Sequence, residues 1–315
     1  MSPIAGRVLV ASVVAVLTAC EASHASEDEQ SSQLGVQIAD GEDASACAAL
    51  PPLDGAATTA YQSDTVAHLA GVADVTPGVR LVDRASPANR QIAREYLARH
   101  FEDVHLTPLL HSYGTGTNVY AELPSTSGGR EWIVLGAHFD TVARSPGAND
   151  NATGVAVVYA VARYLTALPC RSRNVAFVLF DQEEIGLVGS KAFAKKLERD
   201  GVAVRAVHTV DQMGWDSNGD RLIELERPDT GLAEVYRAAA NELGASIPIT
   251  VTSTPSSNHS SFRPGFPAVG VTEGYRSGDT TPDYHRPTDT FDKVNFGYLR
   301  STTELVARVL GNQLR

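Results

Sequence analysis

The apolar run that begins at Trp132 ends in His138-Phe139-Asp140, a histidine two residues before an aspartate. Gly147-Ala148-Asn149-Asp150-Asn151-Ala152-Thr153-Gly154 follows and opens a helical pattern. A second apolar run, Asn174–Phe180, delivers Asp181-Gln182-Glu183-Glu184, and a third, Val202–Val210, delivers Asp211. Later, Asp283-Tyr284-His285-Arg286-Pro287-Thr288-Asp289 sets another histidine in a loop. Imidazole and carboxylate together suit a hard-to-borderline divalent ion such as zinc. Each piece also has a plainer reading. Asp140 could be a turn residue, Asp150 or Asn151 a helix N-cap, and Glu183-Glu184 a helix first turn facing its dipole. Taken together, the plain readings weaken. If the three runs are neighbouring strands, their carboxylates converge on one sheet edge, and burying several without a cation is very costly.

The elements that must position these residues alternate between strand and helix. Helices are expected over 61–71 (capped by Ser63 or Asp64), from Pro87 to about Phe101 behind an Ser86 N-cap, over Thr153–Leu168, after Glu184 with a basic face of Lys191, Lys195 and Lys196, over Thr230–Leu243 and over Asn295–Leu310. Strands are expected over Val104–Ser112, Asn118–Leu123, Trp132–Ala137, Asn174–Phe180, Val202–Val210, Leu222–Glu226, Ile247–Thr252 and Ala268–Thr272. Unbroken apolar strands between helices argue a three-layer α/β/α sandwich around a mixed, mostly parallel sheet. In open sheets of this kind, ligands sit beyond the carboxyl ends of the strands.

Composition narrows the partners. The chain has 315 residues, 43% of them apolar, and a net charge of −11, which disfavours nucleic acid. Three cysteines are too few for a disulfide scaffold. Residues 1–20 read as a signal peptide, with Arg7 before the apolar Val8–Leu17. They end in Leu17-Thr18-Ala19-Cys20, which resembles a bacterial lipoprotein signal whose cysteine is lipidated, so the expectation is an exported periplasmic or cell-surface protein, membrane-anchored through Cys20 or released. Residues 21–57 are read as an acidic, Ser-rich tether, and 58–315 as the catalytic domain. Cys47 and Cys170 could pair in an exported protein, which sequence alone does not decide.

Five ordered pieces, namely His138-Phe139-Asp140, the 147–154 stretch, Glu183-Glu184-Ile185-Gly186-Leu187-Val188-Gly189-Ser190, Asp211-Gln212-Met213-Gly214 and Tyr284-His285, resemble the secreted bacterial di-zinc aminopeptidases, from about residue 60 onward. Their superfamily also includes glutaminyl cyclases and glutamate carboxypeptidases. The resemblance implies two zinc ions bridged by Asp150, with His138 and Asp211 completing one site and Glu184 and His285 the other. It implies Asp140 accepting the second ring N–H of His138, Glu183 as general base on a metal-bridged water, and Tyr284 steadying the oxyanion. The implied substrate is a peptide with a free N-terminus. Glu273 is a candidate to recognise its amine.

Asn149 and Asn258 stand where relatives often have Asp, which puts local charge in question but not the ligand set. His259 could line the pocket or be a core histidine, and His208, inside an apolar strand, reads as structural. Asn151-Ala152-Thr153 matches a glycosylation sequon, although its position at a helix start argues against use. No protease-associated insertion separates the motifs, which disfavours the carboxypeptidase branch. A glutaminyl-peptide cyclotransferase on the same fold is the alternative function, and a metal-free binding module a more distant one.

Overall fold

Three apolar strands set the centre of the sheet. In a computed structural model, which describes residues 49–244 and 247–315, Trp132–His138 (β3) lies parallel between Asn174–Phe180 (β4) and Val204–Asp211 (β5). The hairpin of Pro108–Tyr113 (β1) and Gly116–Leu123 (β2) adds antiparallel to β4. On the other side Ala268–Thr272 (β8) pairs parallel to β5, Ile223–Glu226 (β6) antiparallel to β8, and Ile249–Thr252 (β7) parallel to β6. The order is β1-β2-β4-β3-β5-β8-β6-β7.

The central strands have no polar face because both faces are covered. Ile133, Leu135, Val175, Phe177 and Leu179 belong to one core, and Val134, Ala176, Val178 and Phe180 to the other, as the two-residue period of a strand requires. Gly55–Leu69 (α1), Pro87–Asp103 (α2), Gly154–Thr166 (α3), Leu232–Glu242 (α5) and Phe296–Gln313 (α6) supply side chains to the first core, while Phe193 and Leu197 of Val188–Arg199 (α4) supply the second. Each Val, Leu or Phe fully buried between these layers stabilises the fold by roughly 1.5–3 kcal/mol. Every residue from Gly154 to Ala162 is buried, so α3 is a core helix apolar on all sides.

Two elements depart from the sequence expectation. Helix α1 starts at Gly55, with Asp54 Oδ1 accepting from Ala57 N at 3.0 Å; neither Ser63 nor Asp64 is the cap. Its early turns are rich in small residues, but Leu50 and Leu53 pack against the core ahead of it, so ordered structure begins before position 58. Val104–Leu106 is not strand: the amides of Val104 and Leu106 return to Phe101 O, and His105 takes a left-handed φ of 61°, closing α2 before β1 begins. Ser86 caps α2 as expected, its Oγ accepting from Asn89 N. The expected signal peptide, Cys20, Cys47 and most of the tether lie outside the described residues. Cys170 is held in a disulfide. No described helix is long and apolar enough to cross a membrane.

Candidate metal centre

Parallel β3 and β5 end side by side, which brings His138 and Asp211, their last residues, together: His138 Nε2 is 3.3 Å from Asp211 Oδ1. Strand β4 ends at Phe180, and the chain turns through Gln182, at a left-handed φ of 61°, to present Glu183 and Glu184. Asp150 arrives from the loop after β3. One of its oxygens, Oδ1, lies 3.3 Å from His138 Nε2, and the other, Oδ2, lies 3.2 Å from His285 Nε2. His285 Nε2 is also 2.9 Å from Glu184 Oε2. His138, Asp150 and Glu184 each offer a ligand atom within 4.8 Å of the others. Gln182, Gln212 and His285 all have positive φ, a conformation that non-glycine residues keep only where surrounding structure holds them.

The electrostatics demand positive charge. Burial opposes ionisation of Asp150, but hydrogen bonds from His138 and His285 hold its carboxyl well below the usual range. Those hydrogen bonds, to Asp150 and Glu184, raise His285 to about 10. Burial would lower His138, yet the charges of Asp211 and Glu183 lift it well above an ordinary histidine. Burial, with Asp211, Glu184 and Asp150 nearby, pushes Glu183 up to about 9 against the pull of His138. Two imidazoliums thus stand in for cations among crowded carboxylates. Glu184 Oε1 is buried and accepts no hydrogen bond, and Asp150 Oδ2 meets only the imidazole of His285, which leaves lone pairs free for a metal. Imidazole and carboxylate are a donor set that zinc accepts, and binding it would displace the protons.

Asp140 supports the cluster in two ways. Its Oδ1 lies 3.6 Å from His138 Nδ1 and helps to keep the imidazole charged, with its backbone carbonyl nearer, at 3.2 Å. The carboxylate oxygens also accept from the backbone N–H groups of Glu183, at 2.9 Å, and Glu184, at 3.2 Å. Glu273 departs from expectation: it is 0% exposed and accepts from Asn149 Nδ2, Gly214 N and Trp215 N, so it cannot meet a substrate amine.

Several supporting residues gave no signal in the sequence. Asp289 accepts from the backbone N–H groups of Asn149 and Asp150, at 2.8 and 3.0 Å, and Ser257 Oγ donates to Asp211 Oδ2 at 2.7 Å. Arg84, fully buried, donates to the carbonyls of Phe139, Leu69, Pro146 and Gly147 and so ties down both ends of the loop between His138 and Asp150. Gly147 at φ 62° is required there, because a Cβ would stand 2.4 Å from Asp150 O and 2.8 Å from Arg84 Nη2. Asn151 does cap-like work, accepting from Gly154 N, and it is buried. His208 is structural, bonded to Tyr236 Oη and Gln313 Oε1. Tyr284 stacks on His285 with ring centroids 3.8 Å apart and, like Glu183, lines the cleft.

Comparison with known proteins gives the chain relatives. A profile described as Peptidase family M28 matches residues 118–310. Aminopeptidase YwaD of Bacillus subtilis is 28% identical over 180 residues, 55% of this chain and 39% of that protein. A probable lipoprotein aminopeptidase, LpqL of Mycobacterium tuberculosis, is 27% identical over 222 residues, 61% of this chain and 44% of that protein. The chain therefore spans less than half the length of either relative. A solved zinc aminopeptidase from Bacillus subtilis superposes with a TM-score of 0.59 and 25% identity, covering 64% of this chain and 50% of that one.

Proposed function

The chain belongs to peptidase family M28, and from that premise we propose that it is a zinc-dependent aminopeptidase that hydrolyses the first bond of peptides. The observation that carries this reading is Asp150, whose two oxygens face two different histidines, His138 and His285. In this reading His138, Asp211 and Asp150 hold one zinc, and Glu184, His285 and Asp150 a second. When bound, the zinc ions supply the Lewis acidity that acidifies water and polarises the scissile carbonyl.

The chain's own groups do the rest. Glu183 takes a proton from the attacking water and returns it to the leaving amine. Asp140 fixes the backbone from which Glu183 and Glu184 project. Ser257 orients Asp211, and Tyr284, stacked on His285, offers its hydroxyl to the developing oxyanion. Lipidation at Cys20 would anchor the enzyme outside the cytoplasm, a reading supported by the lipoprotein relative.

The test is zinc per chain together with hydrolysis of a leucine anilide in one preparation. Two zincs with turnover, and a Glu183→Ala enzyme that keeps both ions but loses turnover, are the expected results. One zinc with cyclisation of a Gln-initiated peptide would instead make it a cyclase, and neither zinc nor turnover would sink the enzyme reading.

A further inference from the structure

The cleft that holds the metal-centre residues is lined as well by Gln212, Glu226, Thr254, Ser256, Thr272 and Tyr275, and no Val, Leu, Ile or Met lines it. Glu226 ends β6 opposite Gly270 of β8. The missing side chain makes room, since a Cβ on Gly270 would lie 2.7 Å from Glu226 Oε2 and 2.6 Å from His259 Nδ1. Glu226 is 4% exposed, and among the described residues no lysine or arginine pairs with it. The imidazole of His259 lies against it, with Nδ1 3.4 Å from Oε2.

That neighbour supplies no charge. His259 Nε2 lies 3.1 Å from the carbonyl of Thr254, which can only accept, so Nε2 carries the hydrogen and Nδ1 turns a lone pair toward the carboxyl. Burial lowers His259 to about 4, which keeps it neutral. Burial, with the charges of Asp211 and Glu224, pushes Glu226 itself up to about 8 against the weaker pull of Arg276, which forms no ion pair with it. Gln212 points the same way: it is 6% exposed, lines the cleft, and its Oε1 accepts no hydrogen bond. Glu224, two residues earlier on β6, accepts from Arg276 N and Ser277 Oγ through Oε1, while its buried Oε2 accepts no hydrogen bond.

We propose that Glu226, with Gln212, forms the floor of the subsite for the first residue's side chain and selects peptides that begin with lysine or arginine. This rests on the aminopeptidase reading above. A leucine side chain would return no donor to Glu226 and Gln212, and an acidic one would oppose the ionisation of Glu226. A cationic side chain satisfies both. Position argues against the α-ammonium as the occupant. That group is one carbon from the scissile carbonyl and must stay beside His138 and Asp211, whereas β6 is separated from β5 by β8, so the strands are roughly 10 Å apart. A long cationic stem crosses that gap.

The test uses the full chain reconstituted with zinc. Steady-state kcat and KM are measured on lysine, arginine, leucine and glutamate anilides, and binding of free L-lysine and L-leucine is measured by calorimetry. Lysine and arginine should exceed leucine in kcat/KM by ~10- to 100-fold, chiefly through KM, as expected for a hydrogen-bonded charge. Glu226→Gln should lower the lysine-to-leucine ratio at least about tenfold, and Gln212→Leu should lower it less. L-Lysine should bind tighter than L-leucine in the wild type and lose that advantage in Glu226→Gln. Leucine equal to or better than lysine overturns the inference while leaving the peptidase reading intact. So does a ratio unmoved by Glu226→Gln, which is what a merely structural role or α-amine recognition produces. If no anilide is hydrolysed, the peptidase reading fails and the binding measurement still decides the subsite: lysine no tighter than leucine overturns it.

Discussion

The carboxylate of Asp140 accepts the backbone N–H of Glu183 at 2.9 Å, so a residue two positions past the histidine of β3 holds the turn that leaves the neighbouring β4. A second bond to Glu184 N makes the grip two-pronged. Asp140→Asn replaces one acceptor with a donor and removes the charge, turning one amide away. Zinc affinity and kcat should each fall ~10- to 100-fold, as loss of an outer-shell partner typically does. Competition titration against a zinc chelator and steady-state kinetics check this, and an unchanged affinity would reduce Asp140 to a simple turn residue.

Asp150 predicts an ordered loss of metal. Glu184→Ala should leave about one zinc per chain and Asp150→Ala close to none, because Asp150 sets one oxygen against each histidine. Elemental analysis after dialysis reads the count directly. Equal losses in the two variants would contradict a bridging role.

Much of this was legible in the sequence, for a physical reason. Strands buried on both faces are written as unbroken apolar runs, so Asn174–Phe180 and Ala268–Thr272 have the expected bounds. In parallel neighbours the residues after such runs must share an edge, which is why His138, Glu183 and Asp211 could be gathered before any coordinates. What stayed hidden acts through the backbone or across long sequence separations. Arg84 and Asp289 bond to main-chain groups of residues about 60 and 140 positions away, and no local pattern records that. Glu226 looked like an ordinary strand glutamate because its lack of a counter-ion is a property of its neighbours. Glu273 was misjudged for the same reason, since its donors come from Asn149 and Trp215.

His208 makes stability depend on pH away from the metal centre. Burial lowers it to about 4, below the value near 6.5 in an unfolded chain. The unfolded state therefore binds the extra proton first. Stability from this residue is complete above about 6.5, falls as pH drops, and levels off near 4, a change of order 3 kcal/mol at most. His208→Gln should flatten that part of the curve for the metal-free chain in denaturant titrations between pH 4 and 7. A parallel curve for the two proteins would show that His208 does not titrate there.

Arg84→Leu should destabilise the chain by at least ~3 kcal/mol, because carbonyls of Leu69, Phe139, Pro146 and Gly147 lose their buried donor. Arg84→Lys keeps the charge but not the fork, and should recover only part of the loss. Denaturant midpoints measure both. A neutral Arg84→Leu substitution would mean the loop holds its shape unaided.

Arg84 also separates two meanings of a domain. The family match begins at residue 118, yet the guanidinium that pins the Asp150 loop comes from upstream, with α1 and α2 around it. The segment by which the chain is classified is thus not the segment that can be transplanted. A graft of 118–310 would carry every proposed ligand and leave behind the Arg84 clamp that spaces them.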